Sequence, residues 1–191
     1  STIERFLLMK VGIVLGSIRE GRMGEGVARW VNDLAQGRDT GVEYELVDLK
    51  EFNVPLLESP VIPGAANKQY DNEQVQAWSD KIDSFDGFIF VTPEYNHSVP
   101  GGFKNAFDAL GSEWFGKAVD FVGYGASGGV RAIEAWRLIV SNFQMLQVRA
   151  ALEFNLFSEF NESGFAPADR KIEEAANLFT DLEAMLKKVN A

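Results

Sequence analysis

Apolar positions along the chain fall into two alternating kinds of run. Five runs are short, rich in β-branched and aromatic residues and of strand length, at positions 7–15, 42–49, 87–91, 119–124 and 148–157. The third, Gly87-Phe88-Ile89-Phe90-Val91, is continuous, as in a strand buried on both faces. The second alternates polar with apolar and reads as an edge strand with Asp48 at its end. Asp120 is out of place in the fourth run and is expected to mark its start. Helical spacing governs the stretches between. Val27, Trp30, Val31, Leu34 and Ala35 form one stripe, Val75, Trp78, Ile82 and Phe85 a second, and Phe103, Ala106, Phe107 and Leu110 a third. Ile133, Trp136, Ile139, Val140 and Phe143 form a fourth; Ile172, Ala175, Ala176, Phe179, Leu182 and Leu186 close the chain, with Asp169 in the N-cap region. Strands alternating with helices predict an α/β fold: a doubly wound, five-stranded parallel sheet with right-handed crossovers and helices on both faces. Residues 158–167 read as loop. So do residues 50–70, where Pro55, Pro60, Pro63 and Gly64 leave no room for a regular element; a loop so long is more often functional than idle.

Three strand ends carry unusual loops. The first run ends in Gly16-Ser17-Ile18-Arg19-Glu20-Gly21-Arg22-Met23-Gly24-Glu25-Gly26 and opens a helix at Val27, whose free N–H groups face the strand end, an anion site in outline. It nearly matches two phosphate signatures and fails both. Arg22 and Met23 stand where a nucleotide triphosphatase needs Lys and Ser/Thr, and G-x-G-x-x-G is absent. A serine hydroxyl, an arginine two residues on and a helix start suit a terminal phosphate monoester better than a bridging pyrophosphate. Arg19 and Arg22 flank this strand end with no acidic partner demanded by the pattern. The third run ends at Pro93, which fixes its own φ and holds Thr92 extended. Glu94, Tyr95, Asn96, His97 and Ser98 then crowd polar and aromatic groups where open α/β sheets bind ligands. Pro93, Tyr95 and Asn96 can wall a flat heterocycle. The lone histidine lacks a second titratable partner and is read as non-catalytic. Gly125-Ala126-Ser127-Gly128-Gly129 is the third such loop.

Composition narrows the chemistry. The 191 residues are 46% hydrophobic, enough for one substantial core, and one domain over 1–191 is expected. Asp and Glu number 28 against 18 Lys and Arg, a net charge of −10, which argues against nucleic acid and membrane surfaces as partners. The Phe6-Leu7-Leu8-Met9 run is short and broken by Lys10, so neither signal peptide nor membrane span is expected, and the cytoplasm is the default compartment. With no cysteine and one histidine there is no thiol couple and little for a transition metal, so electron chemistry requires a bound organic cofactor.

The motifs G-S-I-R, P-E-Y-N-H-S-V-P-G-G-F-K-N-A and Y-G-A-S-G-G-V-R-A resemble those of the NAD(P)H-dependent FMN reductases and related quinone reductases, over most of residues 10–150. The resemblance implies a flavodoxin-like fold with strand order 2-1-3-4-5 and FMN bound non-covalently at the carboxyl ends. It further implies that Ser17 and Arg19 take the phosphate with the amides of Gly24, Glu25, Gly26 and Val27. Pro93, Glu94, Tyr95 and Asn96 then line the isoalloxazine, and Ser127, Gly128 and Gly129 meet its pyrimidine edge. Met23 and Gly24 replace polar phosphate ligands of many relatives, which leaves Arg22 or backbone amides to do more. A nicotinamide nucleotide NAD(P)H as donor, a small acceptor such as a quinone or free flavin, and a homodimer or homotetramer are also implied. The flavin, and no side chain, then carries the chemistry. Two other readings stay open: a flavodoxin-type one-electron carrier, against which Arg19 argues because a cation opposes a low potential, and a non-catalytic flavin-binding or regulatory domain.

Overall fold

The computed structural model describes residues 9–190; Leu7 and Leu8, which open the first expected strand, lie outside them. The main sheet has five parallel strands, β1 (Met9–Leu15), β2 (Val42–Asp48), β3 (Gly87–Pro93), β4 (Ala118–Gly125) and β5 (Leu146–Asn155), in the order β2-β1-β3-β4-β5. This is the flavodoxin-like order, with its switch point between β1 and β3. Helices α1 (Gly24–Gln36), α2 (Glu73–Asp83), α3 (Gly101–Asp108), α4 (Val130–Val140) and α5 (Arg170–Val189) follow the strands in turn.

Side-chain alternation along the strands builds two cores. Val11, Ile13 and Leu15 of β1 and Ile89 and Val91 of β3 face α1 and α5, meeting Val27, Val31, Leu178 and Leu182. Val14, Phe88, Phe90, Val119 and Phe121 face the other way, against α2, α3 and α4. That second core is aromatic. Trp78, Trp114 and Trp136 are fully buried, and each indole N–H has an acceptor: the Ala106 carbonyl at 2.8 Å, the Phe107 carbonyl at 3.1 Å and the Thr92 hydroxyl at 3.1 Å. The last of these fixes α4 to the end of β3.

Several sequence expectations change. Asp120 does not start β4 but sits inside it, fully buried, where the pairing of β4 with β5 slips between Val119 and Phe121. β5 begins at Leu146 and ends at Asn155, so Phe157 stands beyond the strand. The 158–167 stretch is not all loop: β6 (Phe160–Asn161) and β7 (Gly164–Phe165) form a small antiparallel hairpin, whose Phe165 packs edge-on to Trp30 and Phe154. On α5, Ile172 and Ala176 are exposed while Leu178 takes a core position, and Asp169 is the N-cap residue without a capping side-chain bond. Residues 50–70 are irregular apart from two 3₁₀ turns, Leu49–Phe52 and Pro63–Ala65.

Candidate functional site

In a parallel sheet all carboxyl ends lie on one edge, so the three loops share one rim. The first is drawn in close. Gly16 donates to the Val91 carbonyl at 3.0 Å, and a Cβ there would fall 1.9 Å from the Phe103 ring, so only glycine lets the loop turn over α3. Ser17 is buried, its Oγ 3.4 Å from the Tyr95 hydroxyl. Ile18, Arg19 and Glu20 are exposed, and among the described residues Arg19 makes no side-chain hydrogen bond or ion pair. Arg22 behaves differently. Its guanidinium donates to both Asp48 oxygens, at 2.7 and 2.5 Å, and to the Ser17 carbonyl at 2.7 Å. The hydrogen bond it donates to Asp48, with the carboxylate charge behind it, outweighs partial burial and raises the Arg22 pKa. The sequence pattern demands no acidic partner for Arg22, yet the end of β2 supplies one, and Arg22 shapes the loop from beneath.

The start of α1 has no side-chain cap, because Met23 occupies the N-cap position. The amides of its first turn are thus without a side-chain acceptor, as an anion site requires. Gly24 is closed in by Tyr124, whose hydroxyl oxygen lies 2.1 Å from where a Cβ would sit. Burial raises the Tyr124 pKa, so its hydroxyl stays protonated beside Ser17. Glu25 turns its carboxylate along the helix to Arg29, at 2.8 Å, while Val27 is core and Gly26 abuts Phe165. These three positions can offer a ligand only their backbone.

After β3 the chain makes a two-residue hairpin. Tyr95 and Ser98 exchange backbone hydrogen bonds of 3.0 and 3.1 Å, and Asn96 and His97 both have positive φ, 50° and 70°. This is the geometry of a type I′ turn without the glycine it usually carries. Asn96 and His97 are exposed at its tip. Glu94 does not face the ring space freely: it accepts from the Arg131 amide at 3.0 Å and from its Nε at 2.6 Å. Arg131 also reaches the Ser127 hydroxyl, at 3.3 Å. In the third loop Gly128 and Gly129 have φ of 75° and 76°, and a Cβ on Gly129 would approach the Tyr124 amide to 2.6 Å. Glu94 and Arg131 thus bolt the second loop to the third, as Ser17 and Tyr95 bring the second toward the first.

All fourteen residues singled out from the sequence lie in or directly under these loops, although Glu94 and Arg22 brace the framework. Four supporting residues went unassigned: Asp48, Tyr124, Arg131 and Asn105. Arg131 and Tyr124 lie within the third motif, and Asp48 was visible only as the end of an edge strand. Asn105 holds the 50–70 stretch, donating to the Pro55 carbonyl at 2.9 Å and accepting from the Leu57 amide at 3.0 Å.

The family model for NADPH-dependent FMN reductase matches residues 9–158. The chain belongs to that family. It is 33% identical over 192 residues to an NAD(P)H-dependent FMN reductase of Nectria sp, covering 95% of this chain and 96% of the relative. It is 34% identical over 163 residues to a quinone reductase of Pseudomonas putida, with 81% and 82% covered. Among solved structures, the flavoenzyme NAD(P)H:(acceptor) oxidoreductase FerB from Paracoccus denitrificans superposes with a TM-score of 0.74 at 20% identity, over 94% of this chain and 98% of that one, a likeness of fold. Membership makes the chain an enzyme whose cofactors are FMN and NAD(P)H. The uncapped start of α1 beside Ser17 and Arg19, and the two rigid loops at one rim, fit a phosphate monoester joined to a flat ring.

Proposed function

We propose that residues 1–191 act as one FMN-binding domain of a cytoplasmic NAD(P)H oxidoreductase, which reduces a small acceptor such as a quinone or free flavin. The observation that carries this reading is the tying of all three loops at one sheet edge, through Ser17 and Tyr95 and through Glu94 and Arg131. When bound, the flavin accepts a hydride from the nicotinamide and passes electrons to the acceptor. The protein's part is to hold and orient. Arg19, Ser17 and the first α1 amides take the phosphate. The Pro93–Asn96 backbone and the Ser127–Gly129 amides fix the ring, with one face left to both substrates in turn. No side chain needs to move a proton in the first half-reaction, and exposed His97 has no partner among the described residues.

Donor and acceptor sharing one face leads to ping-pong kinetics: initial rates against NADH at several quinone concentrations give parallel double-reciprocal lines. Intersecting lines would reject the single-site arrangement, and a preparation that takes up no added FMN, seen by its visible spectrum, would reject the reading whole. A homo-oligomer is part of the proposal. Leu56, Ile62 and Leu138 are exposed on the α3–α4 side, and Ile62 and Leu138 line one cavity of about 430 Å³ there. Light scattering behind gel filtration tests this; a monomer at micromolar concentration rejects it.

A further inference from the structure

Four aromatic residues at the β5 end pack among themselves. Trp30, Phe154, Phe160 and Phe165 make edge-on or tilted pairs with centroids 4.8 to 5.8 Å apart. Phe157, in the same stretch, joins none of these pairs among the described residues. It is 83% exposed, more than any other large apolar side chain described.

A single exposed apolar residue is ordinary on a protein surface. Two features set Phe157 apart. Its backbone is held firmly: the Asn155 side chain accepts from the Phe157 amide at 2.8 Å, and the Ser158 and Glu159 amides both turn back to the Asn155 carbonyl. Glu159, itself buried, accepts from the Asn155 amide at 3.0 Å. The same Asn155 also donates to the Ala126 carbonyl at 3.0 Å, and Leu156 donates to the Gly125 carbonyl at 3.1 Å. The loop bearing Phe157 is therefore fastened to the glycine loop that carries Ser127. An exposed ring on a backbone already held spares the loop-ordering cost when a flat ligand stacks on it.

Sheet order places Phe157 relative to the candidate site. β4 lies between β3 and β5, so Phe157 stands on the far side of the Gly125–Gly129 loop from the Pro93–Asn96 wall. A compact acceptor seated on the flavin between those loops does not extend past the third. A dinucleotide is longer and carries a second aromatic base that can.

We propose that Phe157 is a stacking platform for the adenine of the nicotinamide dinucleotide, and so a residue that selects the dinucleotide over shorter hydride donors. The proposal rests on the oxidoreductase reading above. It concerns binding alone, and the nicotinamide end keeps its own contacts at the flavin.

The test uses FMN-loaded protein and compares NADH with reduced nicotinamide mononucleotide, which lacks the adenylate. Phe157→Ala should raise the KM for NADH about fivefold or more, as loss of a base–aromatic stack does. It should leave the KM for the mononucleotide within twofold, and Phe157→Tyr should restore the NADH value. Binding is read separately, by saturation transfer from oxidised protein to the adenine protons of ADP-ribose, strong in wild type and weak in Phe157→Ala. The proposal is overturned if wild type shows no such transfer, if both donors lose equally, if neither loses, or if the loss appears in the KM for the quinone. Wild-type protein that oxidises neither donor would instead bring down the oxidoreductase reading.

Discussion

Arg19 and Arg22 occupy the same loop and do different work. Arg22 is pinned by Asp48 and the Ser17 carbonyl, whereas Arg19 is exposed beside an uncapped helix start. A charged bond to phosphate exceeds a neutral one, and Ser17 offers a single hydroxyl to a site already held by amides. Arg19→Ala should therefore weaken FMN binding roughly thirty- to a thousandfold, and Ser17→Ala about tenfold, by fluorescence titration of apoprotein. Riboflavin, lacking the phosphate, should bind wild type and Arg19→Ala alike; a parallel loss of both ligands would remove Arg19 from the phosphate. Arg22→Ala should instead lower the melting temperature, because it strips a partly buried pair worth about 2 kcal/mol.

Asp120 is the other residue whose environment sets a measurable property. Its Oδ1 accepts from the Phe121 amide at 2.7 Å, and its Oδ2 has no partner among the described residues. Burial raises its pKa well above the usual range, and the Phe121 bond and the Arg137 charge offset only part of this, while Asp181 adds to it. The folded state then keeps a proton that the unfolded state releases near pH 3.9, so this group's contribution to stability falls as pH rises from there toward its folded pKa. Asp120→Asn, which cannot ionise, should gain on wild type as pH rises from 4 to 8 in denaturant melts. A difference that stays constant across that range would mean Asp120 is ionised in the fold.

At the scale of elements, legibility divides by the range of the contact that decides each feature. Strand and helix stripes come from local periodicity, so Phe88 and Phe90 could be assigned to a doubly buried strand before any contact was known. The type I′ turn at Asn96 and His97 was not legible, because neither residue is the glycine that signals it. Nor was the order of the 50–70 stretch. Its prolines forbid regular structure, yet it is moored by Asn105 at one end and at the other by Tyr70, whose hydroxyl donates to buried Glu113 at 2.5 Å. Glu113 also accepts from Ser79 at 2.7 Å and from the Gly111 amide at 2.9 Å, so three donors offset its burial. Local pattern carries no trace of such moorings. The Glu94–Arg131 bolt is of the same kind and yields a test. Glu94→Ala frees the second loop from the third, so FMN and riboflavin should both weaken, by about tenfold in the same proportion, since the phosphate loop is untouched. A loss confined to FMN would show that Glu94 acts on the phosphate and not on the loops.

For the whole molecule, a polar tie that spans most of the chain lies far from the candidate site. Glu183 on α5 accepts from Arg38, just after α1, at 3.0 and 2.5 Å, and from Thr40 and from Tyr44 on β2, both at 2.7 Å. Chain positions separated by 139 to 145 residues are thereby joined, closing the last helix onto the first α-β unit. Burial works against the Glu183 charge, but the bonds from Arg38, Thr40 and Tyr44 outweigh it and hold the carboxyl below its usual range. Burial and the neighbouring carboxylate raise the Tyr44 pKa, so that hydroxyl remains a donor. The signs then bound a pH window. A depressed carboxyl contributes stability that is present above the unfolded pKa of about 4.3 and lost as pH falls through the folded value. A raised tyrosine contributes stability that is full below about pH 10 and lost as pH rises beyond it. Glu183→Gln leaves Arg38 without its counter-charge, and should cost about 3 kcal/mol between pH 6 and 8. In urea melts from pH 7 down to 3, that difference should narrow below about pH 4, as wild type loses its ionised partner and the variant does not. A gap that stayed constant to pH 3 would mean that Glu183 contributes through packing alone.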